Sequence, residues 1–178
     1  MKKAGKTDGK LINKMQILIG ILVLLIGSLV YLVDRPGEQT YFVYKSAVNI
    51  SLHNTLPNLF GIIGNSLPSF THVFSFILIT AGLIAYQKRG YILICLFWFF
   101  VDSAFELGQK FNTLIIEFIP GWFGGIPVFE NTGNYFMLGT FSFGDMAAIF
   151  IGTIAAYFIL MKTTERRTAL SQKRTEKY

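Results

Sequence analysis

Four long apolar runs leave this chain few folds to choose from. Met15–Val33 holds 19 residues without a charge, Phe70–Tyr86 and Tyr91–Leu107 hold 17 each, and Phe141–Met161 holds 21. A helix rising 1.5 Å per residue needs about 17–25 residues to cross a hydrocarbon core of roughly 30 Å. Every run meets that length, so the chain is expected to be all-α, a polytopic membrane bundle of four transmembrane helices. Charged residues make up only 15% of the chain, against roughly 25% in soluble domains. The 178 residues fit one domain.

The first run follows a basic leader and is expected to be a spanning helix and not a cleaved signal. It exceeds the usual apolar stretch of about 7–15 residues, and no A-x-A site follows it. Pro36 blocks its continuation. The net charge of +6 invites a nucleic-acid partner. The basic residues flank apolar runs instead of forming a stripe, which argues against one. Thirteen lysines and arginines lie before the first run, between the second and third, and after the fourth. Arg35, Lys45 and Lys110 are the three on the other side. Basic loops stay cytoplasmic, so both termini are expected inside and both long loops outside.

The resulting plan is a cytoplasmic basic tail (1–14), a transmembrane domain (15–161) with extracytoplasmic loops 34–69 and 108–140, and a second basic tail (162–178). The tails read as disordered or frayed helix at a membrane surface, where anionic lipid attracts them. The outer loops contain Tyr41-Phe42-Val43-Tyr44 and Ile115-Ile116-Glu117-Phe118-Ile119-Pro120-Gly121-Trp122-Phe123. These are too apolar for water and too broken to span. Short interfacial helices, re-entrant pieces or a cap over the bundle mouth are expected there. Cys95 is alone, so no internal disulfide forms.

Ionisable groups inside spanning helices are costly and need a reason. From the midpoints of the apolar runs, His72 lies about 9 Å outward in the second helix, Asp102 about 5 Å and Glu106 about 10 Å outward in the third. Asp145 opens the fourth. Asp102, Glu106 and Gln109 are spaced i, i+4, i+7 and share one face. His72 and Ser75 are spaced i, i+3. The sequence thus gathers its buried charge in one outer layer. Two readings follow. The layer could be a ligand site, with His72, Glu106 and Asp145 as catalytic candidates and Asp102, Gln109 and Ser75 as binding groups. It could equally be a clasp between helices. A His with two or three carboxylates could hold Zn or Mn, yet no H-E-x-x-H or tight His pair is present, and neither metal nor cofactor is expected. No serine-nucleophile motif, Walker loop or Rossmann fingerprint occurs. Whether the protein is an enzyme is left open. A transport path would need inner-half polar positions, for which Thr80, Gln87 and Thr153 are the candidates.

Three motifs stand in order on helix ends: Thr71-His72-Val73-Phe74-Ser75-Phe76, Phe105-Glu106-Leu107-Gly108-Gln109, and Phe143-Gly144-Asp145 leading to Gly152. Together they resemble the VanZ-like family of small bacterial membrane proteins, with its H-x-x-x-F, E-x-x-Q and D-x-x-x-N-x-x-G. His72, Glu106, Gln109, Asp145 and Gly152 carry over. Ile149 stands where the family has Asn, and the family's Arg shortly before the Asp is missing. The resemblance implies a bacterial inner-membrane, cell-envelope protein linked to teicoplanin resistance. Its partners would be membrane lipid and a lipid-linked or amphiphilic ligand, held in an outward-facing polar pocket. A non-enzymatic scaffold that binds another membrane protein is the alternative.

Overall fold

The computed structural model describes residues 12–36, 51–53, 55, 56, 59–84, 87–126 and 129–175, residues 131 and 166–175 by backbone alone. The Tyr41–Tyr44 stretch and the first eleven residues fall outside these. Among the described residues six α-helices form: α1 (Lys14–Val33), α2 (Ile63–Ile84), α3 (Lys88–Lys110), α4 (Asn112–Phe118), α5 (Thr132–Leu138) and α6 (Phe143–Thr175). Two 3-10 turns, Gly121–Gly125 and Phe129–Asn131, lie between α4 and α5. No strand occurs among the described residues. α1, α2, α3 and the Phe143–Glu165 part of α6 are each long and apolar enough to cross a membrane.

Two boundaries differ from the sequence expectation, each for a physical reason. α2 begins at Ile63, seven residues ahead of the apolar run that suggested it, and passes through Pro68. Its entry is fixed from α1. The Asp34 carboxylate accepts from the backbone N–H groups of Leu59 and Phe60, each at 3.0 Å. Gly61 then turns the chain at φ +54°, a conformation that costs glycine little. Pro68 sits in the second turn, where it removes one helical hydrogen bond, and the Thr71 hydroxyl donates to its carbonyl at 3.0 Å. The other difference is at the C-terminus. Residues 162–175, expected as a disordered or frayed tail, continue α6 as helix. That stretch contains neither proline nor glycine, so nothing in it stops a helix already under way.

α2 is the central helix: it packs against α1 and α6, while α3 packs on α6 and α2. Inside hydrocarbon, burial drives helices together weakly, so close van der Waals approach at small residues carries the packing. A Cβ on Gly20 would lie 2.9 Å from the Ser75 carbonyl oxygen, and one on Gly27 would strike the Thr71 hydroxyl. On α6, a Cβ on Gly152 would lie 3.0 Å from the Phe70 carbonyl oxygen and 2.7 Å from Val73 Cγ1. Around these contacts lies the core of Val73, Ile77, Leu78, Tyr91, Ile149 and Leu160. Ile149 is therefore a packing residue. Leu18, Leu22, Leu25, Phe97, Phe100, Phe150 and Phe158 face outward, a surface suited to acyl chains.

One end of the bundle, the termini end, carries the start of α1, the far end of the apolar part of α6 and the junction of α2 with α3. There Gln16 Nε2 donates to Thr163 Oγ1 at 2.9 Å, and the hydroxyls of Tyr91 and Thr164 pair at 2.8 Å. The Asn13 N–H donates to the Gly82 carbonyl at 2.8 Å. These bonds tie α1 to α6, α3 to α6, and the start of α1 to α2. The opposite end carries α4, the turns and α5. α5 packs on α3 and α4, with Phe136 buried and stacked on Phe105 at 5.9 Å.

Candidate functional site

The ionisable groups singled out in the sequence gather toward the α4–α5 end, in two tiers instead of one layer. With α2 starting at Ile63, His72 lies only about 2 Å from that helix's midpoint at 1.5 Å per residue. It therefore faces Asp102, deeper on α3, and not Glu106. His72 Nδ1 lies 3.0 Å from Asp102 Oδ1. With a neutral imidazole, Nδ1–H donates to the carboxylate and Nε2 is left as an acceptor. The histidine side chain is 49% exposed and the aspartate 8%. The imidazole edge meets Phe76 at 4.2 Å, and Phe76 stacks on Trp98 at 4.7 Å. Trp98 Nε1 in turn donates to Thr80 at 3.0 Å.

The upper tier is built where α3 meets the start of α6. Ser142 caps α6, its hydroxyl accepting from the N–H groups of Gly144 at 3.1 Å and Asp145 at 3.4 Å. In a capping box the acidic residue three positions on would reach back to the cap's own N–H. Here Glu106 occupies that N–H from α3, its Oε1 accepting from Ser142 N at 2.6 Å. Asp145 is thereby displaced from its local role, and its Oδ1 is buried with no hydrogen-bond partner among the described residues. Asp102 Oδ2 and Ser103 Oγ are in the same condition, on residues each 7% exposed. Asp102 and Glu106 share a face of α3, as their spacing requires, and both are buried.

Two tyrosines and an arginine that sequence reasoning passed over complete the tier. Tyr31, near the end of α1, has Arg35, Asp145 and Glu106 as its charged neighbours. The Arg35 guanidinium lies 4.9 Å over the Tyr31 ring and donates to the Asn65 carbonyl at 2.9 Å. Gln109 Nε2 donates to the Tyr135 hydroxyl of α5 at 3.0 Å. A Cβ on Gly139 would lie 2.5 Å from Gln109 Cδ, so glycine there leaves the amide its place. Burial pushes the Tyr135 phenol up to about 12; the Gln109 hydrogen bond opposes this, and the nearby Tyr31, Glu106 and Asp102 add to it.

Ser75 is fully buried, and its hydroxyl bonds to none of these groups. Its carbonyl lies on the α1 seam beside Gly20. Among the described residues no group of three or more His, Cys, Asp or Glu side chains is close enough to hold a metal ion. The arrangement offers a His–carboxylate pair that can exchange a proton and a carboxylate-lined tier that can receive hydrogen-bond donors or a cation. One signal for Ser142 was present in the sequence: Ser142-Phe143-Gly144-Asp145 has capping-box spacing.

The fold and this cluster describe an all-helical protein with four helices long and apolar enough to cross a membrane and with buried acids concentrated near one end. No family model, curated protein or solved structure matches the chain.

Proposed function

We propose that the chain is a VanZ-like protein of the bacterial inner membrane, with both termini cytoplasmic. In this reading the two-tier cluster binds or modifies a lipid-linked or amphiphilic envelope molecule at the outer side. The observation that carries the reading is the pair of buried, unpartnered carboxylate oxygens, Asp102 Oδ2 and Asp145 Oδ1, beside a third buried acid, Glu106. Charged groups at membrane depth cost roughly 2.5–3.5 kcal/mol each, and leaving their oxygens unbonded adds to that cost. A ligand that supplies donors offsets it. The half-exposed His72, oriented by Asp102, would be the proton carrier. Thirteen of the sixteen basic residues belong to the termini end or its turn, which supports the orientation.

A second reading, a structural clasp in a scaffold protein, draws on the bonds themselves. Glu106–Ser142 joins α3 to α6 and His72–Asp102 joins α2 to α3. The two readings separate in one experiment. Wild type, His72→Ala, Glu106→Gln and Asp145→Asn are expressed in a glycopeptide-sensitive bacterial host. Teicoplanin susceptibility, membrane abundance and melting temperature in detergent are then recorded. Loss of protection with abundance and melting preserved supports the site. Protection that falls only in proportion to melting and abundance supports the clasp. A wild type that confers no protection removes the resistance role.

A further inference from the structure

The deeper tier, His72 with Asp102, leaves one nitrogen open at a depth where water is scarce. His72 Nδ1 is fixed by Asp102 at 3.0 Å. Nε2 bonds to no described residue, and the side chain is 49% exposed. Three helices agree on where that opening lies. At 1.5 Å per residue, His72 is about 2 Å from the middle of α2 and Asp102 about 5 Å from the middle of α3. Thr71, next to His72 in sequence, packs on Gly27, about 5 Å from the middle of α1. A hydrocarbon core of roughly 30 Å extends about 15 Å to either side of its centre. With the bundle spanning a membrane, Nε2 therefore looks into acyl chains, about 10 Å or more below the headgroups. Beside it stands an aromatic wall. Phe76 meets the imidazole at 4.2 Å, edge to face, and stacks on Trp98 at 4.7 Å with planes 15° apart. Trp98 is held through Nε1 on Thr80 at 3.0 Å and is flanked by the exposed Phe97 at 5.4 Å. Asp102 is more than nine-tenths buried and keeps Oδ2 unbonded, so its side-chain bond among the described residues is the one to the imidazole. That bond holds the proton of a neutral ring on Nδ1 and leaves Nε2 an acceptor.

We propose that this opening binds an apolar lipid whose polar head is a hydroxylated aromatic ring, the chemistry of a membrane hydroquinone, entering sideways from the bilayer. The proposal rests on the site reading above in taking His72 as open to a ligand, and it names what the deeper tier accepts. An acceptor nitrogen calls for a hydroxyl on the ligand. A phospholipid headgroup is anchored at the interface and does not reach this depth. Acyl chains do reach it but leave Nε2 unbonded, which is the costly condition. An aromatic ring lies against Phe76 and Trp98 with contacts that a prenyl chain does not make. The same ring with its hydroxyls blocked keeps those contacts and loses the donor.

The test uses the full chain, purified and reconstituted in nanodiscs of phosphatidylcholine. Three probes are added in turn: geranyl hydroquinone kept reduced, its dimethyl ether, and the prenyl alcohol geraniol. Native mass spectrometry reads retention, and melting temperature reads stabilisation. The chain has two histidines, so nitrogen-15 spectra of the imidazoles give few signals, and those of His72 are identified by their loss in His72→Gln. The expected result is retention of the hydroquinone over each other probe by roughly tenfold, the ratio that about 1.4 kcal/mol gives. The His72 Nε2 signal should move with the hydroquinone and stay with its ether. Equal retention of hydroquinone and ether by wild type overturns the proposal without relying on any variant's folding. Equal retention of hydroquinone and geraniol overturns the ring assignment. A stable dimer that holds no probe overturns the proposal too, a second copy then covering the opening. If the probes are not distinguished while His72→Ala still abolishes protection from teicoplanin with melting preserved, the site reading stands and only the lipid assignment falls.

Discussion

The two ends of this bundle solve the same problem with different chemistry. Both place polar side chains between packed helices. At the termini end the groups are neutral and bond mainly to each other: Gln16 to Thr163, Tyr91 to Thr164. Among the described residues the open buried acceptor there is Gln16 Oε1, an uncharged amide oxygen. At the α4–α5 end the groups are acids, and their hydrogen bonds leave Asp102 Oδ2 and Asp145 Oδ1 unmet. Neutral pairs between membrane helices are worth about 0.6 kcal/mol on average, which suits a fastening. Buried carboxylates with open oxygens are a poor fastening, because their desolvation is far more expensive than that of an amide. Under the proposed function, holding belongs to one end and binding to the other.

The largest effect should come from Glu106→Gln. The amide oxygen can still accept from Ser142 N, so the junction of α3 with α6 survives and melting should shift little. The charge is lost, and a charged hydrogen bond to a ligand is worth about 1.5–3 kcal/mol, a weakening of roughly 10- to 150-fold. Susceptibility assays alongside melting curves check this. A variant that melts early while its residual protection tracks abundance would erase the distinction between the two ends.

Much of this contrast was legible in the sequence, and the missing part has a definite cause. Asp102, Glu106 and Gln109 were expected on one face of one helix by spacing alone, and Asp102 and Glu106 are buried together there. The depth of His72 was not legible, because hydropathy begins the second run at Phe70 while Asp34 and Gly61 start the helix at Ile63. That shift sets His72 level with Asp102 instead of Glu106. The fastening at the termini end was missed for a similar reason. Gln16 is an isolated amide at the start of an apolar run, and Thr163 and Thr164 read as tail until α6 is seen to continue through them. Arg35 and Tyr31 join the site only through tertiary packing, which no local pattern encodes.

Two substitutions sharpen the comparison by acting midway between the ends. Gly20→Val and Gly152→Val force side-chain atoms against the carbonyls of Ser75 and Phe70. Overpacking of this kind costs about 1–3 kcal/mol. Both should lower melting by several degrees and reduce protection only as far as folded protein is lost. A smaller effect is expected at alkaline pH. The Tyr135 phenol is pushed from 10.0 up to about 12, so the unfolded chain releases this proton first. Its contribution to stability is present below pH 10.0 and is lost as pH rises toward about 12. Melting curves across that window should show the loss in wild type and a shallower one in Tyr135→Phe.

The smallest effect probes the termini end directly. Gln16→Leu removes the donor to Thr163, whose hydroxyl keeps its own bonds to the carbonyls of Ile159 and Leu160 at 2.8 and 3.0 Å. It also removes the open Gln16 Oε1, and leucine is at home in an apolar run. Losing one interhelical bond while clearing one unbonded acceptor should nearly cancel, within about 1 kcal/mol in either direction. Protection should be unchanged, because α2 transmits no hydrogen-bonded chain from Gln16 to His72 among the described residues. Melting temperature and susceptibility measured together decide it. If Gln16→Leu cuts protection as deeply as Glu106→Gln with melting intact, the termini end also takes part in function, and the division between a holding end and a binding end is wrong.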